Sequence, residues 1–436
     1  MILICEPQCK GISHEKVNSG FLYGFHLAYP KEKIVFFAEK THFQEVKNIF
    51  IKSHVATGSI ENFPINFSLR NNYGFGGIVR YYLLFKRIFD KACDLGINKI
   101  FFLSTSPIIL YTIKILKQKS KYKNICCSFV LHGELEDISH KNYEEPYTTT
   151  LKGVKIGFNR ALATLFNHPN RVFLFILGKI FWPVLKLYSN YSLIFKKKLR
   201  VKKMMMWQHS DQYNYISLSP HVTKNASKYI DVKHLNIHTI IMPIIFAKPS
   251  RTPDNKYIKF AVFGYGDSGQ MQKMLSILSK RHIKNTYEIR IISMDDRGIE
   301  GFPNVTHVGS GNVLTVNEME NSAKDIDMFI NLYDRTRHRF GCSLSIFEAF
   351  SYLKPVLHLS NPGYNYFNNK KKPIGYRTEN LNEFVNKMCD MIENYSKYEE
   401  KLEVFRKNML AYRKEYNIKS NLLKLRKTFT FNNNNE

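Results

Sequence analysis

The chain has 436 residues, 44% of them hydrophobic and 23% charged, with a formal net charge of +28. That composition excludes a disordered chain, and the length is too great for one ordinary core, so two domains of roughly 150–200 residues each are expected. The cationic surplus points to anionic partners such as acidic lipid head groups or phosphorylated small molecules; zinc-finger spacing and an RNA-binding sheet signature are missing, so nucleic acid is not expected.

MILICEPQ opens the chain as a strand, too short an apolar run for a signal peptide and without a basic leader. GISHEKVNSGFLYGFHLAY reads as a loop entering a helix, EKIVFFAE as a strand, THFQEVKNIF as a helix and KIFFLST as a strand. ICCSFVLHG is a fully apolar strand ending in His132 and Gly133. Apolar strands separated by helices predict a parallel sheet covered on both faces. The 7 cysteines contain no CxxC pair, so reduced thiols of a cytosolic protein are expected, not disulfides or a zinc site.

Residues 151–206 hold 12 Lys plus Arg and no Asp or Glu, interleaved with the apolar RVFLFILGKIFWPVLKLY. Lys179 and Pro183 interrupt that run, which falls short of the roughly 20 apolar residues a span needs. A basic, aromatic segment of this kind suits the surface of an anionic bilayer. The strand YISLS follows, then a helix from near Pro220 and a Pro-containing linker, KPSRTPDNK. From Tyr257 the alternation resumes with strands YIKFAVFG, YEIRIISM, NVTHVG, DMFINL and PVLHLS separated by helices. From about residue 382 the pattern is helical and charged, and FNNNNE closes the chain as a disordered tail.

The expected fold class is therefore α/β, with two Rossmann-like doubly wound domains facing a central cleft. The first covers residues 1–245 with an insert at about 151–206. The second covers 257–420, with its final helices packing back on the first, and 428–436 form the tail. In open parallel sheets ligands bind outside the carboxyl ends of the strands, so the cleft between two such domains is the expected site.

Two segments carry chemistry. FGYGDSG places Gly264, Gly266 and Gly269 in a GxGxxG spacing between a strand and a helix, with Ser268 inside the turn and Lys273 shortly after it. Such glycines let the backbone approach a phosphate at a helix start. Asp295 and Asp296 follow the next strand, as a nicotinamide dinucleotide site would ask, which makes an NAD-dependent oxidoreductase a rival. The other segment is RHRFGCSLSIFEAFSYLKPVLHLS, residues 337–360. Ser345-x-x-Glu348 matches a capping box. Equally, a helix beginning near Ser343 offers amides to a diphosphate, with Glu348 one turn in and able to accept from ribose hydroxyls. Asp325-x-Asp327 precedes an apolar strand and reads as strand-start chemistry, not as a metal site.

GCSLSIFEAFSYLKPVLH resembles the nucleotide-binding segment of GT-B glycosyltransferases of the bacterial surface-polysaccharide type. DIDMFINLY and the turn at 264–269 resemble that family too. The resemblance is clear over residues 257–360 and architectural over 1–150. It implies that Gly341 and Ser343 line the donor's phosphates, that Glu348 binds its ribose and that Leu344 belongs to the same donor site. Where many retaining members carry a second acid ahead of this glutamate the chain has Phe340, which leaves the stereochemical outcome open. Arg335, Arg337 and Arg339 stand just upstream and could clamp a diphosphate as a cluster, with Arg337 counted among the donor-binding residues, so neither metal nor a separate cofactor is expected. His132 sits where the family often places a histidine against the donor sugar. His14 in the first loop and Glu134, with Glu136 and Asp137 beside it, are candidates for a general base. The implied activity is transfer of a sugar from a nucleotide-sugar donor to a glycan or lipid-linked acceptor, by a cytoplasmic protein peripheral to the cytosolic face of an anionic membrane. Polyol-phosphate transferases and nucleotide-sugar epimerases share the architecture and stand as alternatives.

Overall fold

The computed structural model describes residues 1–56, 60–65, 75–138, 200–249, 255–264, 268–293, 301–309, 314–333, 335–369 and 371–429. Most of the basic insert, up to residue 199, and the tail beyond 429 lie outside them.

The first half runs β1 (Ile2–Cys5), α1 (Glu15–Ala28), β2 (Ile34–Glu39), α2 (Lys40–Lys52), β3 (Ile60–Ile65), α3 (Phe75–Asp94), β4 (Lys99–Phe102), α4 (Pro107–Lys117) and β5 (Cys126–Leu131). After the insert come α5 (Val201–Met206), β6 (Tyr213–Ser217), α6 (Pro220–Ala226) and β7 (Ile237–Thr239). These strands form one sheet in the order β3-β2-β1-β4-β5-β6-β7, and every pairing is parallel. The second half runs β8 (Lys259–Phe263), α7 (Ser268–Leu278), β9 (Glu288–Ile292), β10 (Val305–Val308), α8 (Val316–Ala323), β11 (Met328–Asn331), α9 (Leu344–Tyr352), β12 (Val356–Leu359), α10 (Pro362–Phe367), β13 (Gly375–Thr378), α11 (Leu381–Glu393), α12 (Tyr395–Tyr416) and α13 (Leu422–Phe429). Its sheet, also parallel throughout, has the order β10-β9-β8-β11-β12-β13. Each sheet therefore reverses its winding once, at β1/β4 and at β8/β11, and those switch points are where such sheets bind ligands.

The central strands are apolar because helices cover both their faces. β3, by contrast, is the edge of its sheet, and that is what tolerates Pro64 and the polar Glu61 and Asn62. The helix starts follow ordinary capping chemistry. Ser106 accepts from the Ile109 amide ahead of Pro107, and Thr315 and Glu318 form a reciprocal capping box on α8.

One continuous apolar cluster joins the halves. It runs from Phe21, Phe25 and Met242 to Phe347, Phe350 and Tyr416. The outer faces of the two sheets have separate cores. α13 lies against α1, where Leu425 packs by Gly24 and Arg426 Nε donates to the Ala28 carbonyl at 3.1 Å.

Candidate active site

A buried carboxylate fixes the loop after β1. Glu6 accepts from Ser104 Oγ at 2.5 Å, from Asn18 Nδ2 at 3.1 Å and from the Gln8 and Cys9 amides at 2.9 and 3.2 Å. Asn18 also meets His42 Nε2 at 2.9 Å, and His42 Nδ1 donates to the Gly11 carbonyl at 2.8 Å. This network ties β4, α1 and α2 into one frame, and the frame aims the start of α1 at the switch point. His14 caps that start in the left-handed region, at φ 59°, a conformation that costs a non-glycine residue about 1–2 kcal/mol.

His14 meets His132, with ring centroids 4.6 Å apart. His132 Nε2 lies 2.7 Å from the Leu103 carbonyl. A carbonyl only accepts, so Nε2 carries the proton and the neutral ring keeps its lone pair on Nδ1. Glu134 turns back on its own loop: Oε2 accepts from the His132 and Gly133 amides at 2.7 and 3.1 Å. Burial raises its carboxyl above the usual range. Glu136 reaches the other half of the molecule and accepts from the Phe340 amide at 2.9 Å.

The loop from 337 to 341 is held by its backbone. Asn361 Nδ2 donates to the Arg337 carbonyl at 2.7 Å and Asn225 Nδ2 to the Arg339 carbonyl at 2.8 Å. His221 Nε2 points at the His338 and Gly341 carbonyls from 3.3 and 3.2 Å. A Cβ on Gly341 would stand 2.8 Å from the His132 carbonyl, so only glycine lets this loop seat against the end of β5. Phe340 is buried among first-half residues, edge-on to Tyr229.

α9 begins immediately after this loop. Ser343 is its N-cap residue, yet its hydroxyl does not cap the helix. Ser343 Oγ and Ser345 Oγ are 2.7 Å apart, Ser345 meets Tyr364 Oη at 2.6 Å, and Tyr364 accepts from Asn331 Nδ2 at 3.0 Å. Glu348 is the fifth residue of α9, beyond the reach of a capping box. The capping-box reading of Ser345 and Glu348 is therefore corrected: the helix starts at Leu344, too early for Glu348 to bond back to its cap. Glu348 instead pairs across the cleft with Lys16 of α1, Nζ to Oε1 at 2.5 Å, with side-chain exposures of 12% and 6%. Two charges that buried gain little net stability together, but removing one strands the other at a cost of about 3–5 kcal/mol. The same ammonium lies 5.7 Å from the centre of the Phe263 ring, at the end of β8. The next residue, Gly264, has φ +79° and open space where a Cβ would stand.

Glu15, beside Lys16, is buried, and its carboxyl is pushed up to about 7. Burial is the main cause, opposed by the Lys16 ammonium and assisted by Glu348.

Contacts thus join the predicted site residues into one chain: His14 to His132, His132 to Gly341, Gly341 through the loop to Ser343, Leu344 and Glu348, and Glu348 through Lys16 to Phe263 and Gly264. Others stand apart from that chain. Lys273 is on the exposed face of α7 and the Arg337 side chain is exposed; Ser268 opens α7, and Gly266 lies outside the described residues. Arg335 pairs with Glu379 on the rim of a cavity of about 310 Å³ at the ends of β12 and β13, lined also by Gln270, Thr336, Ser360 and Asn380. A second hollow, about 510 Å³, lies between α3 and the Phe37–Phe63 pair at the sheet edge and is lined by none of the residues in this chain of contacts. Asp325 pairs with Lys259 and Arg290, and Asp327 accepts from the Lys259 amide at the amino end of β11, away from the cleft. Among the described residues no group of three or more His, Cys, Asp or Glu is placed to hold a metal ion.

No protein-family model matches the sequence, and no curated protein matches it. Solved structures do match along the whole chain. A glycosyltransferase from Rickettsia africae is 12% identical, with 100% of this chain and 99% of that one covered and a TM-score of 0.56. Anabaena HepE, in complex with UDP and glucose, is 11% identical over 98% and 99%, at a TM-score of 0.55. The lipopolysaccharide outer core galactosyltransferase WaaB in its apo form is 11% identical over 98% of each chain, at 0.53. The fold is GT-B. In GT-B terms, α1 with Lys16 comes from the N-terminal domain and α9 with Glu348 from the C-terminal one, and the pair spans the cleft between them.

Lys16, Glu15 and the Glu6 frame were not singled out by sequence reasoning. One faint signal existed, since HEK is the only cluster of titratable side chains between the first strand and the apolar body of α1.

Proposed function

We propose that the protein is a glycosyltransferase that moves a sugar from a nucleotide-sugar donor to a glycan or lipid-linked acceptor in surface polysaccharide synthesis. The observation that carries this reading is Glu348, a buried acid one turn inside a helix that its N-cap serine does not cap, facing the opposite domain of a GT-B fold. The free amides and positive end of α9 suit the donor's pyrophosphate, and the carboxylate suits two ribose hydroxyls. Charge builds on the departing diphosphate during transfer, and a preorganised helix start stabilises it without reorganisation. That chemistry asks for no metal. Gly264 at the end of β8, open where a side chain would stand, gives the second approach to the phosphates.

On the acceptor side His132 is the favoured base, because its Nδ1 lone pair is left over once Nε2 has donated. Glu134 is less suited, since its carboxylate is engaged in holding its own loop. Among the similar structures, HepE is in complex with UDP and glucose, and WaaB is a lipopolysaccharide outer core galactosyltransferase. A lipid-linked acceptor fits the basic, aromatic composition of residues 151–206, which would hold the enzyme to the cytosolic face of an anionic membrane. Among the described residues no helix is long and apolar enough to cross a membrane.

A thermal-shift screen of nucleotide-sugars, UDP, GDP and NAD tests the reading, because a ligand of the native state raises the melting temperature. Stabilisation by at least one nucleotide-sugar is expected. A response to NAD alone would replace this reading with the oxidoreductase.

A further inference from the structure

We propose that Lys16 is a donor-binding residue contributed by the N-terminal domain, which exchanges Glu348 for the donor's diphosphate when the ribose takes Glu348. The inference rests on the reading of Glu348 as the ribose partner and adds a phosphate partner from the other side of the cleft.

Three observations place the ammonium where it could do this. It touches Glu348 on α9 at 2.5 Å. It lies over the ring of Phe263, the residue before Gly264. Its own helix start is fixed by the Glu6, Asn18 and His42 frame, so its reach is set by one flexible side chain on a rigid base. The start of α9 and the end of β8 at Phe263 thus flank one cation from the facing domain.

Burial makes the exchange obligatory. With each charge about nine-tenths buried, neither can give up its partner for nothing. A nucleoside could satisfy Glu348 with its two hydroxyls but would strand Lys16. A nucleoside diphosphate brings both halves of the replacement: hydroxyls for the carboxylate and an anion for the ammonium. Lys16 therefore makes the site selective for ligands that carry a diol and a diphosphate together. Because Lys16 and Glu348 belong to different domains, the bound diphosphate would take over the bridging contact across the cleft.

The test is calorimetric titration of UDP and GDP, each against its nucleoside, into the full-length wild type and variants checked for folding by their melting curves. The wild type should prefer the better diphosphate over its nucleoside by ~100-fold or more. Lys16→Met should cut that preference at least ~10-fold, mainly by weakening the diphosphate. Should the lone Glu348 unfold this variant, the double change Lys16→Met with Glu348→Gln removes both charges and should also bind without the preference. Lys16→Arg should retain it. If the Lys16→Met and double variants keep the wild-type preference while Glu348→Gln alone weakens both ligands, Lys16 is a structural partner only and the exchange is wrong. If Glu348→Gln leaves binding unchanged, or the wild type binds neither nucleotide, the underlying donor-site reading has failed and this inference with it.

Discussion

Glu15→Gln should remove a pH dependence that the cleft writes into the protein's stability. Burial lifts the Glu15 carboxyl from its ordinary 4.5 to about 7. Below pH 4.5 it is protonated in both folded and unfolded chains, and its contribution to stability is fully present. Between 4.5 and 7 the unfolded chain ionises first, so stability falls as pH rises, and above 7 the loss is complete. At about 1.36 kcal/mol for each tenfold change in proton affinity, the whole loss is about 3 kcal/mol, of which about 2–3 kcal/mol falls between pH 5 and pH 8. Glutamine keeps the shape and never ionises, so the variant lacks that decline. Urea unfolding of both proteins at pH 5, 6, 7 and 8 measures it. The two should be nearly equal at pH 5, with the variant the more stable by about 2–3 kcal/mol at pH 8. Parallel stability curves would show that Glu15 is not held in a desolvated cleft.

Two further changes probe neighbouring parts of the site. Gly341→Ala puts a methyl 2.8 Å from the His132 carbonyl; it should cost about 1–3 kcal/mol in thermal unfolding and weaken nucleotide binding, because the loop that leads into α9 must lift. A variant that melts and binds like the wild type would mean that the loop is not seated against β5 in solution. Neutralising Lys196, Lys197 and Lys198 should weaken binding to vesicles rich in anionic lipid by about 1 kcal/mol per charge, with turnover of a soluble acceptor unchanged. Vesicle binding that survives the triple change removes this segment as the anchor.

Much of the fold was legible because buried parallel strands announce themselves. IVFFAE, CCSFVL and KFAVF are apolar on both faces, and the helices between them leave only doubly wound topologies. The strands that went unread are those that lie at sheet edges or carry polar residues. β3 holds Glu61, Asn62 and Pro64, and β13 is only Gly-Tyr-Arg-Thr. The candidate site was legible in its local half. Gly341, Ser343 and Glu348 share one short segment whose helix start and following strand can be seen in the sequence. The partner of Glu348 was not, because Lys16 lies 332 positions away and no spacing rule joins two domains. The capping box misled for a related reason. Its spacing is a local pattern, and a helix that starts at Leu344 moves the acid out of register.

The start of α9 as a pocket for pyrophosphate and ribose is the claim on which the rest stands. Calorimetric titration of UDP and GDP into the wild type and Glu348→Gln tests it most directly. The account predicts that the variant, less stable than the wild type because Lys16 loses its partner but still folded by its melting curve, binds its nucleotide about 1–3 kcal/mol more weakly, the scale of a lost charge-assisted hydrogen bond. Equal affinities in the two proteins would contradict it and leave Glu348 as no more than the partner of Lys16.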